Sequence, residues 1–203
     1  MSNQCVLLIL DAGPVNSLWV AGRLDLIEKI GLPVVIVDEV YAELISDPEN
    51  YEKDRDVKSF FEKAAFVTIE KTFTGEHAAA DRAAGKKVKK NLGETAIAEF
   101  LSDFEPGSGI NKYTKPSESV LLLFEDSGIP FVKIIRSSSN IHLLSTVAML
   151  RGLEEEGEIE SADEIIRKMT NPGNSAQSRR FTDLPDGIDE PSVAKSSWRP
   201  RLK

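Results

Sequence analysis

Five short, mostly apolar runs punctuate the chain: Val6–Leu10, Val34–Val37, Phe66–Ile69, Val120–Phe124 and Ile141–Leu144. Their length and their lack of strict polar alternation suit strands covered on both faces, the pattern of a parallel sheet. Helical spacing fills the intervals. Gly13-Pro14 turns into a helix carrying Leu18, Trp19, Leu24, Leu26 and Ile27, expected to end near Gly31 ahead of Pro33. Asp38 is expected to cap the next helix, setting Glu39 and Glu43 one turn apart beside apolar Val40 and Leu44. Further helices are expected over about 56–65, 74–90 (weakened at Gly85), 94–101, 146–156 and 161–169, the last opened by the capping-box spacing of Ser161 and Glu164. Residues 102–119, rich in Gly, Ser, Pro and Asn, read as an exposed loop, and the Pro-containing stretch beyond Thr170 reads as an irregular extension. The alternation predicts an α/β fold, a three-layer α/β/α sandwich around a central, mostly parallel sheet, with residues 1–169 as one domain and 170–203 as a C-terminal tail.

Composition changes this picture little. A chain of 203 residues that is 41% apolar can bury one substantial core. The one cysteine, Cys5, opens an apolar strand and reads as a small buried residue, in keeping with a reducing cytoplasm. No apolar stretch reaches the roughly 18 to 20 residues that span a bilayer, and the N-terminus lacks the layout of a secretion signal, so a cytoplasmic protein with no membrane partner is expected. The formal net charge of -8 argues at first against nucleic acid. Its distribution reopens the question, because Arg82, Lys86, Lys87, Lys89 and Lys90 crowd together shortly before Glu94. That cluster is either a solvated helix face or a phosphate contact.

Candidate chemistry lies in four acids beside apolar runs. Asp11 ends the first strand and Asp126 follows the fourth, while Glu43 and Glu94 sit on helical segments between them. If the two strands are neighbours in a parallel sheet, their carboxyl ends open onto one crevice, where such folds bind ligands. Carboxylates gathered there repel one another unless a hard cation such as Mg²⁺ or Mn²⁺ neutralises them. Each acid also has an ordinary alternative: Asp11 a helix cap, Glu43 a surface neighbour of Glu39, Glu94 a first-turn acid, Asp126 a turn residue. Other chemistries lack their residues. One Cys with His77 and His142 makes no zinc set, no G-x-S-x-G elbow is present, and Gly107-Ser108-Gly109 has no strand before it and helix after it.

Leu8-Ile9-Leu10-Asp11-Ala12-Gly13-Pro14, Val40-Tyr41-Ala42-Glu43-Leu44, Leu92-Gly93-Glu94-Thr95-Ala96-Ile97-Ala98 and Leu122-Leu123-Phe124-Glu125-Asp126, followed by Ser145-Thr146-Val147-Ala148, occur in the order and spacing that resemble the PIN-domain ribonucleases, including VapC-like toxins. The resemblance spans most of residues 5–169. It implies a metal-dependent endoribonuclease, the toxin of a toxin–antitoxin pair, with Asp11, Glu94 and Asp126 holding Mg²⁺ or Mn²⁺, Glu43 assisting, and the Thr146 hydroxyl near the ion. Either Glu125 or Asp126 can be the fourth acid, and spacing from the strand favours Asp126. Lys86, Lys87, Lys89 and Lys90 would hold flanking phosphates of an RNA substrate, and a cognate antitoxin and a homodimer are the implied protein partners. The alternative from another class is a PIN-fold interaction module with weak or no catalysis.

Overall fold

The computed structural model describes residues 5–89, 91–102, 107–125 and 140–170. Five parallel strands, β1 (Cys5–Leu10), β2 (Val34–Val37), β3 (Val67–Glu70), β4 (Ser119–Phe124) and β5 (Ile141–Ser145), form one sheet in the order β3-β2-β1-β4-β5. Every residue of β2 and β4 is buried, so both faces are covered, which explains the unbroken apolar runs. Helices α1 (Ala12–Val20), α2 (Leu26–Lys29), α3 (Asp38–Leu44), α4 (Glu52–Lys63), α5 (Phe73–Ala83), α6 (Leu92–Ser102), α7 (Thr146–Glu155) and α8 (Ala162–Met169) complete a three-layer α/β/α architecture. Helix α1 packs against α4 and α8, α5 packs against α6, and α3 touches members of both groups. Among the described residues no helix is long and apolar enough to cross a membrane. Cys5 is buried in β1, and burial pushes its thiol up to about 12, far from reactive.

Several local expectations are corrected. The helix expected to run from Leu18 through Ile27 is two helices, α1 and α2, because Gly22 adopts φ +66°. There the Gly22 amide donates to the Trp19 carbonyl (2.9 Å) and the Arg23 amide to the Leu18 carbonyl (2.8 Å), a Schellman stop. Likewise α5 ends at Ala83 with Gly85 at φ +68°, so Lys86, Lys87 and Lys89 follow the helix instead of riding on it. Residues 107–119 are more than an exposed loop: a 3-10 turn over Gly109–Lys112 buries Ile110, and Lys112 and Tyr113 both donate to Glu70 at the end of β3. Ser161 accepts the Glu164 amide (3.2 Å) as expected, whereas the Glu164 carboxylate pairs with Lys168. The tail beyond Thr170 lies outside the described residues.

Asp38 does not cap α3; it is that helix's first residue. Its carboxylate accepts the Thr72 amide (3.1 Å), the Thr72 hydroxyl (2.8 Å) and the Glu39 amide (3.0 Å), tying the start of α3 to the start of α5. Glu39 is buried and receives both terminal guanidinium nitrogens of Arg82, at 2.8 and 2.7 Å. The Glu99 carboxylate on α6 accepts the amides of Phe73 and Thr74, and so closes the same junction from the other side. The approach is tight: a Cβ on Gly75 would stand 2.1 to 2.2 Å from the Asp38 carboxylate.

Two glycine substitutions should therefore differ. Gly22→Ala meets no atom within 4 Å and suffers only its positive φ, about 1 kcal/mol. Gly75→Ala must displace a carboxylate holding three hydrogen bonds and should destabilise by about 2 to 4 kcal/mol. Urea unfolding of both variants should rank them in this order.

Candidate active site at the carboxyl end of the sheet

In this strand order the chain leaves β1 for β2 on one side, while β4 and β5 lie on the other. The gap between β1 and β4 is thus a topological switch point, and the residues just past both strands face one crevice. The register fixes which ones meet. Leu10 pairs with Leu123, and the Asp11 amide donates to the Leu123 carbonyl at 3.0 Å, so Asp11 leaves β1 where Phe124 and Glu125 leave β4.

Asp11 stands at the N-cap position of α1 with extended backbone (φ −91°, ψ 165°), yet its side chain makes no capping hydrogen bond. A cap would accept an amide from the second or third helical residue. Instead the buried carboxyl is pushed up to about 7, first by burial, then by the negative charges of Glu43, Glu94 and Glu125; the neighbouring Ala12 amide opposes the rise. Asp11 thus feels the charge of three carboxylates carried by α3, α6 and the end of β4.

Each neighbour is brought in by a specific contact. Glu43 lies exposed on α3, and α6 approaches it through Gly93, where a Cβ would come within 3.2 Å of Val40 Cγ2 and 3.7 Å of Glu43 Oε2. That glycine lets α6 close on α3 and carries Glu94, the next residue, to the cluster. Glu125 is 4% exposed and held at both oxygens: the Ser17 hydroxyl donates to Oε2 at 2.7 Å and the Thr146 hydroxyl to Oε1 at 2.5 Å. Ser145 caps α7 by accepting the Ala148 amide (3.1 Å), which fixes Thr146 at the first position of that helix.

Glu43, Glu94 and Glu125 therefore lie within electrostatic reach of Asp11, and Thr146 touches Glu125. Asp126 lies outside the described residues. Ser17 escaped sequence reasoning; the available signal was its place one turn beyond Gly13 on α1, two small residues on one face of a buried helix. The basic segment is partly occupied: Arg82 is committed to Glu39 and Lys86 pairs with Asp81 at 2.9 Å, while Lys87 and Lys89 are exposed and Lys90 lies outside the described residues. Among the described residues no three carboxylate, imidazole or thiol groups already stand close enough to grip an ion. The acids are coupled through their field without forming a ready-made cage. A shallow groove at the other end of α1, lined by Trp19, Leu24, Asp25 and Asp56, is remote from this chemistry, and the Trp19 indole N–H there is taken by Asp56 (3.0 Å).

In comparisons with protein-family models, curated proteins and solved structures, nothing matches this chain.

Asp11 makes the site a source of strain whose sign can be worked out. Its folded pKa of about 7 lies above the ordinary carboxyl value of 3.8, so between these values the folded state holds more protons than the unfolded one. Its contribution to stability therefore falls as pH rises through that window and levels off above about 7. The full effect is on the order of 4 kcal/mol. Asp11→Asn removes the charge at nearly constant shape and should raise the melting temperature of the cation-free protein at pH 8 by about 5 °C or more. The difference between variant and parent should shrink toward pH 4. Melting curves across pH 4 to 8 check both statements, and a variant less stable than its parent at pH 8 would mark Asp11 as a structural residue.

Proposed function

We propose that this chain is a PIN-domain-type endoribonuclease that hydrolyses RNA phosphodiester bonds with Mg²⁺ or Mn²⁺. The observation that carries the reading is a buried Asp11 at the switch point of the sheet within electrostatic reach of Glu43, Glu94 and Glu125, its proton affinity raised first by burial and then by those three charges. The donor set fits a hard divalent cation: all four acids offer oxygen, and their mutual repulsion is the potential that such an ion relieves. Asp11, Glu94 and Glu125 would hold it, with Glu43 at the exposed rim assisting and Asp126, the residue after Glu125, a further carboxylate of the same segment. Once bound, such an ion polarises a phosphoryl oxygen and lowers the pKa of an attacking water.

The remaining work falls to the chain. Asp11 must be ionised to act, so activity should climb as pH rises toward 7. Thr146 keeps Glu125 aimed and Gly93 keeps Glu43 beside Glu94. Lys87 and Lys89, with Lys86 and Lys90, would engage phosphates flanking the scissile one. The toxin role, a cognate antitoxin and a homodimer rest on the family resemblance alone, and a cytoplasmic setting is part of the same proposal.

The commitment of Arg82 to Glu39 and of Lys86 to Asp81 favours a second reading, an interaction module with this fold and little catalysis. Two measurements separate them. RNA cleavage by purified protein should require Mg²⁺ or Mn²⁺ and vanish in excess chelator; undiminished cleavage under chelation sinks the cation mechanism. Neutralising Lys86, Lys87, Lys89 and Lys90 together should weaken RNA binding and lower the slope of log affinity against log salt, by up to about 3 for single-stranded RNA, with Mn²⁺ affinity nearly unchanged. An unaltered slope would return the segment to the status of a solvated surface.

A further inference from the structure

Two buried glutamates near the crevice are held in opposite ways. Glu39 receives a guanidinium, so its charge is neutralised where it stands. Glu125 is gripped at each oxygen by a neutral hydroxyl, Ser17 from α1 and Thr146 from α7. Hydroxyl donors fix the direction of a carboxylate without themselves bringing a positive charge. A serine inside a helix commonly bonds back to the carbonyl four residues earlier. Ser17 instead reaches a side chain 108 residues away in sequence. The residue one turn before it, Gly13, leaves the space that Glu125 fills: a Cβ there would lie 3.0 Å from Glu125 Cβ and 3.3 Å from Oε2.

We infer that Ser17 is a positioning residue for the proposed cation site, aiming the Glu125 carboxylate through its 2.7 Å hydrogen bond before any ion arrives. This rests on the reading of the site as a cation-dependent nuclease centre. Fixing a free glutamate side chain costs rotamer entropy, which a pre-formed seat removes from the binding step. Partners that orient a ligand in this way are typically worth about 10- to 100-fold in metal affinity.

The test is Mn²⁺ binding to the full chain, stripped with chelator, measured by calorimetry at 20 °C beside the melting temperature of each cation-free protein. Ser17→Ala should bind Mn²⁺ about 10- to 100-fold more weakly than the parent while still melting well above the assay temperature. Ser17→Cys, close in shape and a poorer donor, should fall between the two. It decides the matter alone if Ser17→Ala does not fold. A purely structural serine predicts a lower melting temperature with Mn²⁺ affinity unchanged. Parent-like affinity in the folded variants therefore overturns the inference and leaves the nuclease reading intact. A parent that binds no Mn²⁺ overturns the cation reading and the inference together.

Discussion

The hydrogen bond from the Asp11 amide to the Leu123 carbonyl, 3.0 Å long, carries the pairing of β1 with β4 one residue past the end of β1. That extension decides which side chains enter the crevice. Side chains alternate faces along a strand, so a one-residue slip would turn Glu125 away from Ser17 and Thr146 and present its neighbour instead. The register is in turn held by burial, since Leu7 to Leu10 and Val120 to Phe124 are almost wholly removed from water. Hydrophobic packing, which has no direction of its own, thus becomes directional at the edge of the core and sets the carboxylates against one another.

Much of the architecture was legible because apolar runs buried on both faces leave a plain signature. The five strands fall within a residue or two of the runs that announce them, and Asp11 is conspicuous as an acid ending such a run. The helices were less legible. Ala and Lys are good helix formers, and their abundance around Gly85 suggested one helix where a left-handed glycine ends it; propensity is a weak prior against a cap that satisfies two carbonyls at once. Gly22 misled in the same way.

At the site, the acids could be listed from sequence, but their partners could not. Ser17 reads, like Asn16 before it, as an ordinary polar residue in a mostly apolar helix until β4 is placed beside β1. The choice between Glu125 and Asp126 turns on the pleat at a strand end, where sequence periodicity carries least information. Glu39 was expected only as a neighbour of Glu43 one turn away, yet it is buried with Arg82 while Glu43 is exposed at the rim. Four residues apart on α3, they are separated in role by what approaches the helix from outside.

Helix α3 also anchors what flanks the lysines. Arg82 is pinned to Glu39 and Gly93 is pressed against Val40, so both approaches to the basic stretch are moored to the same two turns of helix. A tether fixed at both ends has already lost most of the freedom that a dangling arm would surrender to a polyanion. Lys86, Lys87 and Lys89 accordingly leave α5 from a point that the Arg82–Glu39 pair holds fixed. If the chain binds RNA as proposed, a strand meeting this segment would find little freedom left to be lost.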